Sequence, residues 1–185
     1  MNSELDNLIK EARAIAVDAE KRFGELNAAQ LNWQPNAESW SVGTCFDHLI
    51  KTNSEMCGAA ESHIKGTHKA TIWERLPFGH KFFGNFVIKA TLPENPKKVK
   101  SPKVFAPTAS DVRGDVVKRF VESHKRVVET LEASREIDSA KIIVTSPVAK
   151  FVTYSLLDAY TIIVQHELRH LKQAERVMQS EGFPQ

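Results

Sequence analysis

Residues Thr153 to Gln179 read TYSLLDAYTIIVQHELRHLKQAERVMQ. Leu157, Tyr160, Val164, Leu168, Leu171, Ala174 and Met178 recur at steps of three and four, which is the period of an amphipathic helix. Gly182 and Pro184 lie past the end of the pattern, as helix stop signals do. Inside it stands His166-Glu167-Leu168-Arg169-His170. Two histidines four apart project from one face of a helix, one turn apart, so two imidazole nitrogens can reach one metal ion. Both lie roughly 100° or more around from the centre of the apolar stripe, at the border of the core.

Three further segments carry the same period. Leu5, Leu8, Ile9, Ala12, Ile15, Ala19, Phe23 and Leu26 form a first helix with Ser3 as its N-cap. A turn-rich link, Asn27 to Ser39, holds Trp33, Pro35 and Asn36. Ser39 or Ser41 then caps a second helix from Val42 to Ile64, built on Val42, Cys45, Phe46, Leu49, Ile50 and Met56 and ended by Gly66. Thr108 or Ser110 caps the third, with Val112, Val116, Val117, Phe120, Val127, Val128 and Leu131 as its stripe. The pattern of Thr153 to Gln179 is the fourth.

Between helices two and three, residues 66–108 are irregular. Phe78 to Leu92 (FGHKFFGNFVIKATL) reads as a short aromatic helix, and Pro93, Pro96, Pro102 and Pro107 punctuate the rest. So long a connection serves either as a lid or pocket wall or as a solvated crossover. A short β-like run, Ile142 to Thr145, precedes Ser146-Pro147. Four long helices and almost no strand predict an all-α chain: a single four-helix bundle domain over residues 1–185 with a long connection between helices two and three.

Composition narrows the function classes. The 185 residues carry 25 Lys+Arg against 23 Asp+Glu, a net charge of +2 that makes no case for nucleic acid as the main partner. No apolar run reaches the roughly 18 residues of a membrane helix, and the first residues lack the pattern of a signal peptide. A cytoplasmic protein with a small-molecule substrate is expected. Cys45 and Cys57 lie roughly 18 Å apart on one helix, too far for a bridge, which predicts reduced thiols.

A metal on His166 and His170 needs a third ligand. His48, flanking the stripe of helix two, is the best candidate, because neighbouring helices of a bundle supply such sites between them. His124 is its rival, but it falls within the stripe of helix three, where a histidine is more often a hydrogen-bonded core residue. His63, His68 and His80 sit in or near the long connection as surface residues, or one of them reaches a substrate.

The string His-Glu-x-x-His also matches a zinc-protease motif. Where one protease class has its third histidine, this chain has Arg176, and Gln173 stands in place of that class's glycine. Too few residues follow for a glutamate on a returning helix, so the match is read as accidental. Glu167 faces the apolar side, as a support to the histidines or as a buried hydrogen-bonding group.

LNWQPNAESWSVGTCFDHLI (Leu31 to Ile50), HELRHLKQAERV in the fourth helix and KSPKVFAP before the third resemble, in that order, the DinB/YfiT-like metalloprotein superfamily. The resemblance implies a four-helix bundle and a divalent metal, nickel or zinc foremost, on His48, His166 and His170. It also implies a homodimer and, for some relatives, transfer to a low-molecular-weight thiol. Trp40, Trp73, Phe82, Phe83 and Phe86 are candidates for an apolar pocket wall, with core packing as the simpler reading. Lys97, Lys98, Lys100 and Lys103 are candidates for attracting a carboxylate-bearing thiol, with a solvated charge run as the simpler reading. The chemistry stays open between a metal-dependent thiol S-transferase, a metal-dependent hydrolase and a non-enzymatic stress or metal-binding protein.

Overall fold

The computed structural model describes residues 3–95, 105 and 112–185. Over these the chain is mostly helical, with one small two-stranded sheet. The four expected long helices are α1 (Ser3–Phe23), α3 (Val42–Ile64), α5 (Val116–Ala133) and α6 (Leu156–Met178). Two short ones, α2 (Ala28–Asn32) and α4 (His80–Thr91), lie in the connections. The hairpin pairs β1 (Ile143–Thr145) with β2 (Thr153–Ser155), antiparallel, with Val144 opposite Tyr154.

The local chemistry explains each boundary. Ser41, not Ser39, caps α3: its hydroxyl accepts from the Thr44 amide at 3.0 Å, satisfying a donor that the first turn leaves free. Gly66 ends the helix with a φ of 64°, and the Gly66 and Thr67 amides bond back to the His63 and Ser62 carbonyls, each at 3.0 Å. The fourth pattern begins later than its periodicity predicts. Thr153–Ser155 is a strand because its backbone pairs with Ile143–Thr145, and Ser155 then caps α6 in a reciprocal box with Asp158. The link after α1 is not all turn, since Asn27 and Gln30 form the same box around α2 and bury Leu31. Ser3 lies within α1. The expected caps Thr108 and Ser110 fall outside the described residues; α5 begins at Val116, after a buried Val112.

Burial follows the apolar stripes. The helix α3 packs on α5 and α6, and α1 packs on the same two. Phe23, Phe46 and Phe120 meet edge to face or tilted at centroid distances of 5.3 and 5.2 Å. On α6 five residues of the expected stripe, Leu157, Tyr160, Val164, Leu171 and Ala174, are buried, and the buried face widens through Ile163, Glu167 and Val177; Leu168 and Met178 are only partly buried. The wider face takes His170 inside. The short α4 crosses onto α6 and β2, where Gly84 is buried against Asp158 and Tyr154. Cys45 and Cys57 are buried free thiols on α3, with burial pushing them up to about 12 and about 11, far from thiolate reactivity.

Candidate metal centre

Two helix starts set the positions of three histidines. Ser41 places His48 on the second turn of α3, and the Ser155–Asp158 box places His166 and His170 on the third and fourth turns of α6. Packing of α3 on α6 brings the three rings together. His48 Nε2 lies 3.2 Å from His166 Nε2, which lies 3.1 Å from His170 Nε2. The ring centroids are 4.5 to 5.0 Å apart. His48 and His170 are 3% and 7% exposed, and His166 is half-buried.

The protonation state follows from the surroundings. Burial holds His48 below the ordinary histidine value, against the opposing pull of its bond to the Phe105 carbonyl. Burial, with the charges of His48 and Arg169, pushes His166 down to about 3. His170 is driven well down by burial and by His166 and His48. All three rings are therefore neutral at ordinary pH, the form that ligates metals.

These rings cannot satisfy one another. His48 Nδ1–H donates to the Phe105 carbonyl at 2.7 Å, so its Nε2 carries a bare lone pair aimed at His166. A proton on His166 Nε2 serves one neighbour only; a bare His166 Nε2 leaves its contact with His48 without any proton. Either way at least one close nitrogen pair has no hydrogen bond between its members. His166 Nδ1 is also buried with no partner. A cation resolves the conflict: three nitrogens at about 2.1 Å from a tetrahedral ion stand about 3.4 Å apart, close to the spacing seen. The donor set fits a divalent transition metal, and the Phe105 carbonyl is the kind of outer partner that fixes a ligating imidazole.

Of the aromatic residues considered for a pocket wall, Trp40 alone adjoins the histidines. Its ring stacks on His170 at 5.4 Å and tilts against His48 at 4.9 Å. Phe82 and Phe86 are 70% and 63% exposed on the outer face of α4, neither core nor site wall. Trp73 and Phe83 contact Phe151 instead. Lys97, Lys98, Lys100 and Lys103 lie outside the described residues. Phe105 is a contributor that sequence reasoning missed: it enters through a main-chain oxygen, which any residue type supplies, so no sequence signal marks it.

His124 is the hydrogen-bonded core residue its stripe position predicts. Its Nε2 donates to the Ala12 carbonyl and its Nδ1 meets Glu167 Oε1, each at 2.8 Å. Burial opposes its charge, but the charge and hydrogen bond of Glu167 and the Ala12 bond outweigh burial and raise its pKa. Asn53 Nδ2 also donates to Glu167 Oε1, at 2.7 Å. Glu167 is fully buried and engaged with these core groups, which is the buried hydrogen-bonding role and not that of a protease base. His68 and His63 form a separate group with Glu74.

No helix among the described residues is long and apolar enough to cross a membrane. Neither the curated proteins nor the solved structures contain a match to this chain. The family model of the DinB superfamily matches residues 12–174, a span that holds all three clustered histidines. The chain belongs to the DinB superfamily.

Proposed function

We propose that His48, His166 and His170 hold one divalent metal ion, nickel or zinc foremost, and that the site transfers a small electrophilic substrate to a low-molecular-weight thiol. The observation that carries the metal is the convergence of three neutral imidazoles whose Nε2 contacts no arrangement of protons satisfies. A bound divalent ion with open positions supplies the acidity that turns a thiol into a nucleophile near neutral pH. The chain's own groups do the rest. Phe105 holds His48 in the tautomer that presents Nε2, and Trp40 covers one side of the cluster with an apolar ring. The partial exposure of His166 leaves an approach from solvent.

The surrounding architecture is proposed to be a single four-helix bundle domain over residues 1–185. The packing of α3 on α5 and α6, and of α1 on the same pair, supports that reading. The exposed aromatic face of α4, with Phe82 at 70% and Phe86 at 63%, supports a homodimer that covers it.

The test is metal content by elemental analysis of the protein and of a His48→Ala/His170→Ala variant, with circular dichroism as the check on folding. The expected result is one equivalent of metal more in the parent than in the folded variant. Metal-loaded protein is then assayed with an electrophile and a panel of small thiols. Turnover without thiol marks a hydrolase instead, and a filled site that binds neither thiol nor electrophile marks a non-enzymatic metal protein.

A further inference from the structure

We propose that His63, His68 and Glu74 form a second site for a divalent transition metal, at the far end of α3 from the first. Position follows from the sequence of turns. The reversal at Gly66 turns the chain back on α3, and the His68 amide bonds to the Ser62 carbonyl at 3.0 Å. This stacks the His68 ring on His63 with centroids 3.6 Å apart. A second turn, in which Glu74 N donates to Thr71 Oγ1, swings the Glu74 carboxylate to His68 Nε2 at 2.7 Å. One donor atom from each of the three residues lies within 4.8 Å of the others.

The carboxylate is built in, not adventitious. Its side chain is 3% exposed, Oε1 accepts from the Thr145 hydroxyl at 2.6 Å, and Oε2 accepts from the Thr71 amide at 2.8 Å. On the other side of His68, the single proton of Ser62 Oγ goes to the Ala59 carbonyl at 2.9 Å. Ser62 Oγ therefore meets His68 Nδ1, 3.4 Å away, as an acceptor. With its proton on Nδ1, a neutral His68 turns a bare Nε2 lone pair towards a carboxylate oxygen. A proton or a metal ion between nitrogen and oxygen satisfies that contact. A proton on Nε2 engages His68 and Glu74 alone. A metal ion uses all three groups.

Two imidazoles and one carboxylate suit zinc, nickel, copper or cobalt and leave coordination positions for water. His63 lies about 22 Å along α3 from His48, so the two sites are separate. A metal here would pin residues 62–74 to β1 through Thr145 and so order the start of the long connection. This inference does not depend on the three-histidine site.

Zinc binding by calorimetry tests it, on the parent, on the His48→Ala/His170→Ala variant, and on each with His63→Ala added. His63 is partly exposed on the last turn of α3, so its loss leaves the helix cap intact, and thermal melts check this. The expected result is one zinc on the His48→Ala/His170→Ala variant, weakened by more than about tenfold when His63→Ala is added. Amide exchange over residues 67–74 slows with zinc only where His63 is present. Absence of zinc binding in the His48→Ala/His170→Ala variant overturns the proposal. So does a zinc that His63→Ala leaves unweakened, or one that leaves exchange over 67–74 unchanged. Failure of the first site instead leaves the parent with the zinc that His63→Ala removes.

Discussion

Glu167→Gln keeps the size of the side chain and an oxygen for Asn53, and removes one buried charge. His124 then faces the Ala12 carbonyl and a neutral amide, with both ring nitrogens still inside the core. Breaking one side of a buried pair costs about 3–5 kcal/mol, because the remaining charge is stranded or must be given up. For a chain of this size that lowers the melting temperature by roughly 6–20 °C. The pH dependence identifies the cause. His124 is raised in the folded protein, so its contribution is full below the unfolded value of about 6.5 and fades as pH rises through the higher folded value. In the variant, burial acts on the ring with only the Ala12 bond against it, and the unfolded chain takes up the proton more readily than the folded one. The gap between parent and variant therefore widens as pH falls through the raised folded value and past about 6.5. Urea unfolding at several pH values measures it. A loss under about 1 kcal/mol that does not change with pH refutes the buried imidazolium–carboxylate pair. Replacing both partners together, Glu167→Leu with His124→Phe, is expected to recover much of the loss.

Burial of His48, His166 and His170 lowers all three, so each opposes folding as pH drops below about 6.5 and the unfolded chain binds protons first. Chelator-treated His48→Ala/His170→Ala protein is thus expected to lose less stability than chelator-treated parent between about pH 7.5 and 5.5, measured by thermal melts. Ser155→Ala removes the cap of α6 and is expected to cost about 1 kcal/mol in urea unfolding. Gly84→Ala sets a Cβ 2.6 Å from Asp158 Oδ2 and 3.3 Å from Tyr154 Cβ, and is expected to cost about 1–3 kcal/mol, read from the same unfolding curves.

Much of the helix content is local in origin. Ser41, Gly66 and the 3.6-residue stripes mark α3 from end to end because capping and amphipathicity act within a few residues. The strand Thr153–Ser155 escaped the same reading because its partner Ile143–Thr145 lies ten residues away, and strand pairing overrides helical periodicity. The full width of the buried face of α6 escaped it too. Its apolar residues run almost all round the first turns, so periodicity alone does not say whether Leu168 or Ile163 faces the core.

The candidate site divides along the same line. Sequence by itself determined that His166 and His170 share a helix face, since four residues make one turn. The motifs around His48 supplied a third residue by resemblance. Only the tertiary structure decided that His48 meets that face, that Phe105 orients it, that His124 and Glu167 pair in the core, and that His63, His68 and Glu74 converge. Those outcomes depend on which helices touch, on a main-chain oxygen that carries no residue identity, and on a turn that folds the connection back. Each is a long-range or backbone event, and spacing along a chain records neither.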